Sequence, residues 1–193
     1  MGELLLIALG AALVNNFVLV QMLGVCPFIS GSQRVDGAIG LSLAMALVLT
    51  LAAGTTQLVD LYLLRPYGLE YLRLFALLLV IGAVIGATEL AVRRFAPLLQ
   101  RVLGSYIPLV ATNCAVLGVA LINTAASRSF VAALFYGTGA ALGFGLALTL
   151  FAGLRERVAL ADVPVAFRGA PIAFVTAGIL SLAFMAFTGF ARL

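Results

Sequence analysis

Six times along the chain an apolar run of about twenty residues recurs, the length that carries an α-helix across the hydrocarbon core of a bilayer. The runs fall near residues 4–25, 39–58, 73–92, 104–122, 130–153 and 171–189. The connections between them are short, and backbone polar groups in lipid must be satisfied within the helix that carries them. The expectation is an all-α polytopic membrane protein with six transmembrane helices, forming one transmembrane domain over residues 1–193. Only 9% of the residues are charged, against about 25% in soluble globular domains. "RPYG" (65–68) marks the turn between the second and third spans, and "ALADVPVAFRGAP" (159–171) marks the loop between the fifth and sixth. The first run lacks the basic start and small-residue cleavage pattern of a signal peptide, so it reads as a retained span.

The charges set an orientation. All eleven cations are arginines. Seven lie in the loops after the first, third and fifth spans (Arg34; Arg93, Arg94 and Arg101; Arg155, Arg157 and Arg168), and four lie on the other side (Arg65, Arg73, Arg128 and Arg192). Cytoplasmic loops carry the excess of arginine, which puts both termini outside the cytoplasm. The net charge of +4 therefore belongs beside lipid headgroups. No basic stripe interleaved with aromatics is present, and nucleic acid is not an expected partner.

The chain contains no histidine, which excludes His-ligated haem, a Rieske centre and His-based zinc chemistry within it. A metal would need thiolate, carboxylate or backbone oxygen, and the two cysteines, Cys26 and Cys114, cannot complete a four-thiolate site alone. No Ser/His/Asp constellation, phosphate loop or HExxH motif occurs, so no independent hydrolytic or group-transfer activity is expected.

Polar residues inside the apolar runs ask for an explanation. Asn15 and Asn16 precede Cys26 in "LVNNFVLVQMLGVCPF" (13–28), Thr112 and Asn113 sit beside Cys114 in "LVATNCAVLGVAL" (109–121), and Asn123 follows. Amides and hydroxyls often join transmembrane helices by hydrogen bonds. The sharper reading is that they satisfy backbone freed where a helix breaks, which membranes tolerate only inside protein or along a cavity. An offset near 97 residues aligns Asn16 with Asn113 and Gly40 with Gly137. Three spans per half would make the second copy inverted, with repeat one at about 1–96 and repeat two at about 97–193. The first helix of each repeat would be discontinuous, the layout that builds sites near the midplane. Cys26 precedes Pro27, which biases it away from helix and suits a ligand on a chain leaving a half-helix. Two facing copies of such a chain, or two related chains, could bring four thiolates together, as iron–sulfur clusters or zinc require. A buried free cysteine is otherwise a small apolar residue, and a disulfide between the two is not indicated. Glu89, near the end of the third span, is the carboxylate that most invites a functional reading, but Arg93 follows at the i,i+4 spacing of an ordinary helix pair. Asp60, Glu70, Glu156 and Asp162 read as interfacial or loop residues, and "LRER" (154–157) as a plain helix end.

The two cysteine motifs, together with "LRERVALADVPVAFRGAPIAFVTAGILSLAFMAFTG" (154–189), resemble the RnfA family, the A component of the bacterial Rnf electron-transport complex, from end to end. The nearest related family is the E component of the sodium-pumping NADH:quinone oxidoreductase. The resemblance implies an electron-relay subunit of an ion-translocating ferredoxin:NAD oxidoreductase in the bacterial inner membrane, with both termini periplasmic. It implies a 2Fe–2S cluster held by two cysteines of this chain, Cys26 and Cys114, and two of RnfE, the homologous membrane component. The other partners it implies are the B, C, D and G components, with Na⁺ or H⁺ moved by the complex. Thr112, Asn113 and Asn16 are candidates for supporting that site through hydrogen bonds. A small secondary transporter with inverted repeats and a structural scaffold are the rival readings.

Overall fold

The computed structural model of the chain describes residues 2–32, 35–68, 70–95, 110, 113–162, 164 and 167–190. Every regular element among them is helical. Helix α1 (Gly2–Leu9) is prolonged by a π-helical turn (Gly10–Val14), and α2 is a half-helix (Val25–Gly31). Helix α3 (Val35–Val59) also ends in a π-helical turn (Asp60–Leu64). A 3₁₀ turn (Glu70–Leu72) leads into α4 (Arg73–Phe95), followed by α5 (Cys114–Ala125), α6 (Phe130–Ala159) and α7 (Ala170–Phe190).

Among the described residues, three helices are long and apolar enough to cross a membrane: Val35–Leu64 with 30 residues, Arg73–Arg94 with 22 and Phe130–Ala159 with 30. They take the places of the expected second, third and fifth spans and run past the expected ends. Helix α7, 21 residues long, covers the sixth. The first run is not one helix, because regular structure stops at Asn15 and resumes at Val25. Of the fourth run, residues 104–109, 111 and 112 lie outside the described residues, and the helix seen there begins at Cys114.

Helix α6 is central, with α1, α3, α5 and α7 all packing on it. Lipid is as apolar as leucine, so close packing through small residues holds membrane helices together. The sequence supplies such residues on both sides of the α3–α6 contact: Ala44, Ala52 and Ala53 on α3, and Gly137, Ala140, Ala141 and Ala147 on α6 are all buried. Leu41, Met45 and Leu49 interleave there with Phe144, Leu148 and Phe151 in the core. On the α1 side, Gly139 and Gly143 lie one turn apart. A Cβ at Gly143 would stand 2.7 Å from the Ala12 carbonyl oxygen, and one at Gly139 would strike the backbone of Ala8. The α1 backbone thus lies directly on a glycine strip of α6. Leu5, Leu6, Phe75, Leu79, Leu90, Leu142, Ile179 and Leu182 point outward, where a bilayer receives them.

Two features go beyond the sequence expectation. Asp60, near the end of the Val35–Leu64 helix, is fully buried in the protein. Its Oδ2 is 3.0 Å from Arg65 Nε, and its Oδ1 is 3.3 Å from Arg73 Nε. Arg65 reaches the carboxylate from the end of the same π-helical turn, whereas Arg73 is brought to it by the reversal of the chain after α3. Likewise "LRER" is more than a helix end. Arg155 donates to the Ile29 carbonyl (2.7 Å) and to Ser32 Oγ (2.9 Å), and Glu156 Oε1 accepts the Val35 N–H at 3.1 Å. These bonds satisfy backbone groups at the end of α2 and the start of α3 that helix geometry leaves open. Glu89 makes the i,i+4 pair with Arg93 at 2.6 Å.

Candidate cofactor site

The site is built on the interruption of the first span. The Asn15 N–H closes the π-helical turn onto the Gly10 carbonyl at 2.7 Å, and the Asn15 side chain is exposed. Asn16 is completely buried. Its Nδ2 donates to the carbonyls of Ala12 (3.0 Å) and Gly143 (2.9 Å), and its Oδ1 accepts the Val18 N–H at 3.1 Å. One amide thus replaces helical partners on both sides of the break and ties it to α6. Phe17 stacks on Phe144 with ring centroids 6.3 Å apart, and Phe28 of α2 stacks on Phe151 at 4.7 Å. Ser181 Oγ of α7 donates to the Leu19 carbonyl. Residues 16–19 and Gly24 of the irregular stretch are thus buried in protein, the setting in which irregular backbone survives at membrane depth.

Gly24 ends the irregular stretch with φ +82° and immediately precedes α2. Cys26 is the second residue of α2 and Pro27 the third. The expectation that Cys26 sits on a chain leaving a half-helix is corrected, since it lies in the first turn of one. Proline is tolerated there because first-turn N–H groups have no intrahelical acceptor, and this outweighs the bias on the residue before it.

The second cysteine opens α5. Asn113 is the N-cap in extended backbone (φ −85°, ψ 116°), its Oδ1 accepting the Ala115 N–H at 3.0 Å, as a good N-cap does. Its Nδ2 donates to Met45 Sδ at 3.3 Å, joining the start of α5 to α3. Cys114 is the first residue of α5. The two cysteine segments meet here, for the Gly24 N–H donates to Cys114 Sγ at 3.1 Å. A Cβ at Gly24 would lie 2.9 Å from Asn113 Oδ1 and 3.0 Å from Ala115 Cβ. Leu23 packs onto Gly118 of α5.

Both thiols are free and exposed on the surface of the chain. Asn16 and Asn113 spend the bonds described above on the broken span, the cap and Met45, and none of these bonds reaches a cysteine. Thr112 lies outside the described residues. Asn123 is a joint between α5 and α6: its Nδ2 donates to the Ala133 carbonyl (3.3 Å), and its Oδ1 accepts from Arg128 (3.0 Å). Gly24 is the contact that sequence reasoning passed over; a glycine two residues before Cys-Pro, at the edge of a polar interruption, was the available signal. Among the described residues no group of three or more His, Cys, Asp and Glu side chains gathers to hold a metal. The two cysteines lie on segments joined by the Gly24–Cys114 contact.

The family model described as "Rnf-Nqr subunit, membrane protein" matches residues 4–191. Three relatives are named as the A component of an "Ion-translocating oxidoreductase complex". The one from Aliivibrio fischeri is 53% identical over 193 residues, covering all of both chains. That of Vibrio campbellii is 54% identical over 192 residues, again covering all of both chains. The Azoarcus sp. protein is 54% identical over 189 residues, 98% of each chain. With nearly its whole length matched by the family model, and with such relatives end to end, the chain belongs to the Rnf-Nqr family of membrane subunits.

Proposed function

We propose that this chain is the electron-relay subunit of an ion-translocating ferredoxin:NAD oxidoreductase of the Rnf type. In this reading Cys26 and Cys114 hold one side of a 2Fe–2S cluster, and the homologous membrane component RnfE supplies the other two thiolates. Bound in this way, the cluster supplies a one-electron carrier at membrane depth. The observation that carries the reading is the Gly24–Cys114 contact: the chain's only two cysteines lie on segments that touch, and both thiols face outward. Asn113 fixes the first turn of α5, whose open N–H groups favour negative charge beside Cys114. Asn16 and the Phe17–Phe144 stack hold the broken span that carries Cys26.

The reading includes two inverted three-helix repeats, about 1–96 and 97–193. Support comes from the long helices, since α3 and α6 begin at Val35 and Phe130, and α4 and α7 at Arg73 and Ala170. It also includes the bacterial inner membrane, periplasmic termini, the B, C, D and G components as further partners, and Na⁺ or H⁺ as the coupled ion. The test is electron paramagnetic resonance (EPR) and iron analysis of the intact complex carrying Cys26→Ala or Cys114→Ala. Each variant is expected to lose the membrane 2Fe–2S signal and electron transfer, and retention of both in either variant refutes the proposal. The second reading, a small secondary transporter, is favoured by the protein-lined break at membrane depth. Substrate uptake by the chain alone in vesicles would establish it.

A further inference from the structure

We propose that Gly24 is a positioning residue for both cysteines, a clasp that sets the placement of Cys26 relative to Cys114 and donates a backbone hydrogen bond to the Cys114 sulfur. The inference rests on the electron-relay reading and adds the residue that tunes the site. Three independent constraints converge on this position. Its φ of +82° lies in the left-handed region, which side-chain-bearing residues rarely adopt. A Cβ there would be 2.9 Å from Asn113 Oδ1 and 3.0 Å from Ala115 Cβ, so only glycine lets this backbone lie against the cap of α5. Its N–H, brought that close, donates to Cys114 Sγ at 3.1 Å. Cys26 follows two residues later, in the first turn of α2. Displacing Gly24 from α5 therefore shifts both thiols with respect to each other.

The bond carries a sign. Reduction adds negative charge that is shared with the ligating sulfurs, and an N–H donor stabilises the more negative state, so hydrogen bonds to cluster sulfurs raise the reduction potential. The amides of Asn113 and Asn16 are spent elsewhere, on the helix cap, Met45 and the broken span.

The experiment uses the intact complex carrying Gly24→Ala, with Gly118→Ala as the comparison. A Cβ at Gly118 meets only the flexible tip of Leu23, so that variant disturbs the same packing without touching the N–H donor. Redox titration followed by EPR is expected to show the Gly24→Ala cluster about tenfold harder to reduce, about 59 mV lower for a one-electron couple. The Gly118→Ala complex should stay near wild type. A cluster retained in Gly24→Ala at an unchanged potential overturns the proposal. Should Gly24→Ala fail to assemble, the wild-type complex labelled with ¹⁵N-glycine provides the second measurement. A glycine nitrogen coupled to the reduced cluster through the N–H···S contact is expected in pulsed EPR, and its absence overturns the proposal. A third readout needs no cluster: cross-linking of Cys26 to Cys114 in the metal-free complex by a short bis-thiosulfonate. It is expected to slow severalfold in Gly24→Ala; an unchanged rate refutes the clasp. A cross-linking rate that falls in Gly24→Ala, in a complex whose wild type never shows a 2Fe–2S signal, would retire the electron-relay reading while the clasp stands.

Discussion

Asn15 and Asn16 are identical neighbours in a span, and the structure predicts that they behave very differently when truncated. Asn16 is fully buried and makes three hydrogen bonds, to Ala12, Gly143 and Val18. Asn16→Ala leaves the Val18 N–H without its acceptor inside the protein, and an orphaned buried donor costs about 1–3 kcal/mol. It also removes the bridge to α6, and interhelical hydrogen bonds in membrane proteins average about 0.6 kcal/mol. The orphaned donor dominates, and the total destabilisation is about 2–4 kcal/mol. Asn15, exposed beside it, should lose about 0.5 kcal/mol or less as Asn15→Ala, the range of ordinary surface changes. Asn16→Leu keeps the branched outline while removing every polar atom and adding volume, so it should be at least as damaging as Asn16→Ala. The assay is unfolding in mixed micelles as SDS is raised, followed by circular dichroism. Stabilities of Asn15→Ala and Asn16→Ala within about 0.5 kcal/mol of each other would refute the claim that Asn16 supports the broken backbone.

Other outcomes follow from the same packing. Gly143→Ala places a methyl 2.7 Å from the Ala12 carbonyl oxygen and should destabilise by about 1–3 kcal/mol through overpacking, whereas Gly153→Ala, with open space around its Cβ, should be neutral in the same SDS titration. Asp60→Ala uncouples two arginines from a buried carboxylate. Arg65 and Arg73 keep 33% and 26% of their side chains exposed, so the loss should sit near the low end for a broken buried pair, about 3 kcal/mol. Glu89→Ala, in a pair whose side chains are 36% and 60% exposed, should change stability by about 0.5 kcal/mol or less. Arg155→Ala removes the bonds to Ile29 and Ser32, and amide exchange over residues 25–32 should accelerate in hydrogen–deuterium measurements while exchange in α4 stays unchanged.

Residue identity alone carried a great deal here. Apolar runs of bilayer length dictate helices, because lipid offers the backbone no hydrogen-bond partners, and α3, α4, α6 and α7 appear where those runs lie. An absence of histidine and a pair of cysteines limit the chemistry to what soft sulfur donors can do, regardless of fold. The i,i+4 pair of Glu89 and Arg93 was legible too, since helix geometry makes it local. What the chain could not disclose locally are contacts between residues far apart in sequence. Asn16 differs from Asn15 only because Gly143, 127 residues away, presents its carbonyl there. Arg73 meets the buried Asp60 only because the chain turns back after α3. Gly24 matters only because Cys114, 90 residues away, is brought onto its N–H. Composition and periodicity report how one segment meets its solvent, here lipid. Which segment meets which is decided by close packing of small residues around α6, and that exists only once the helices have assembled.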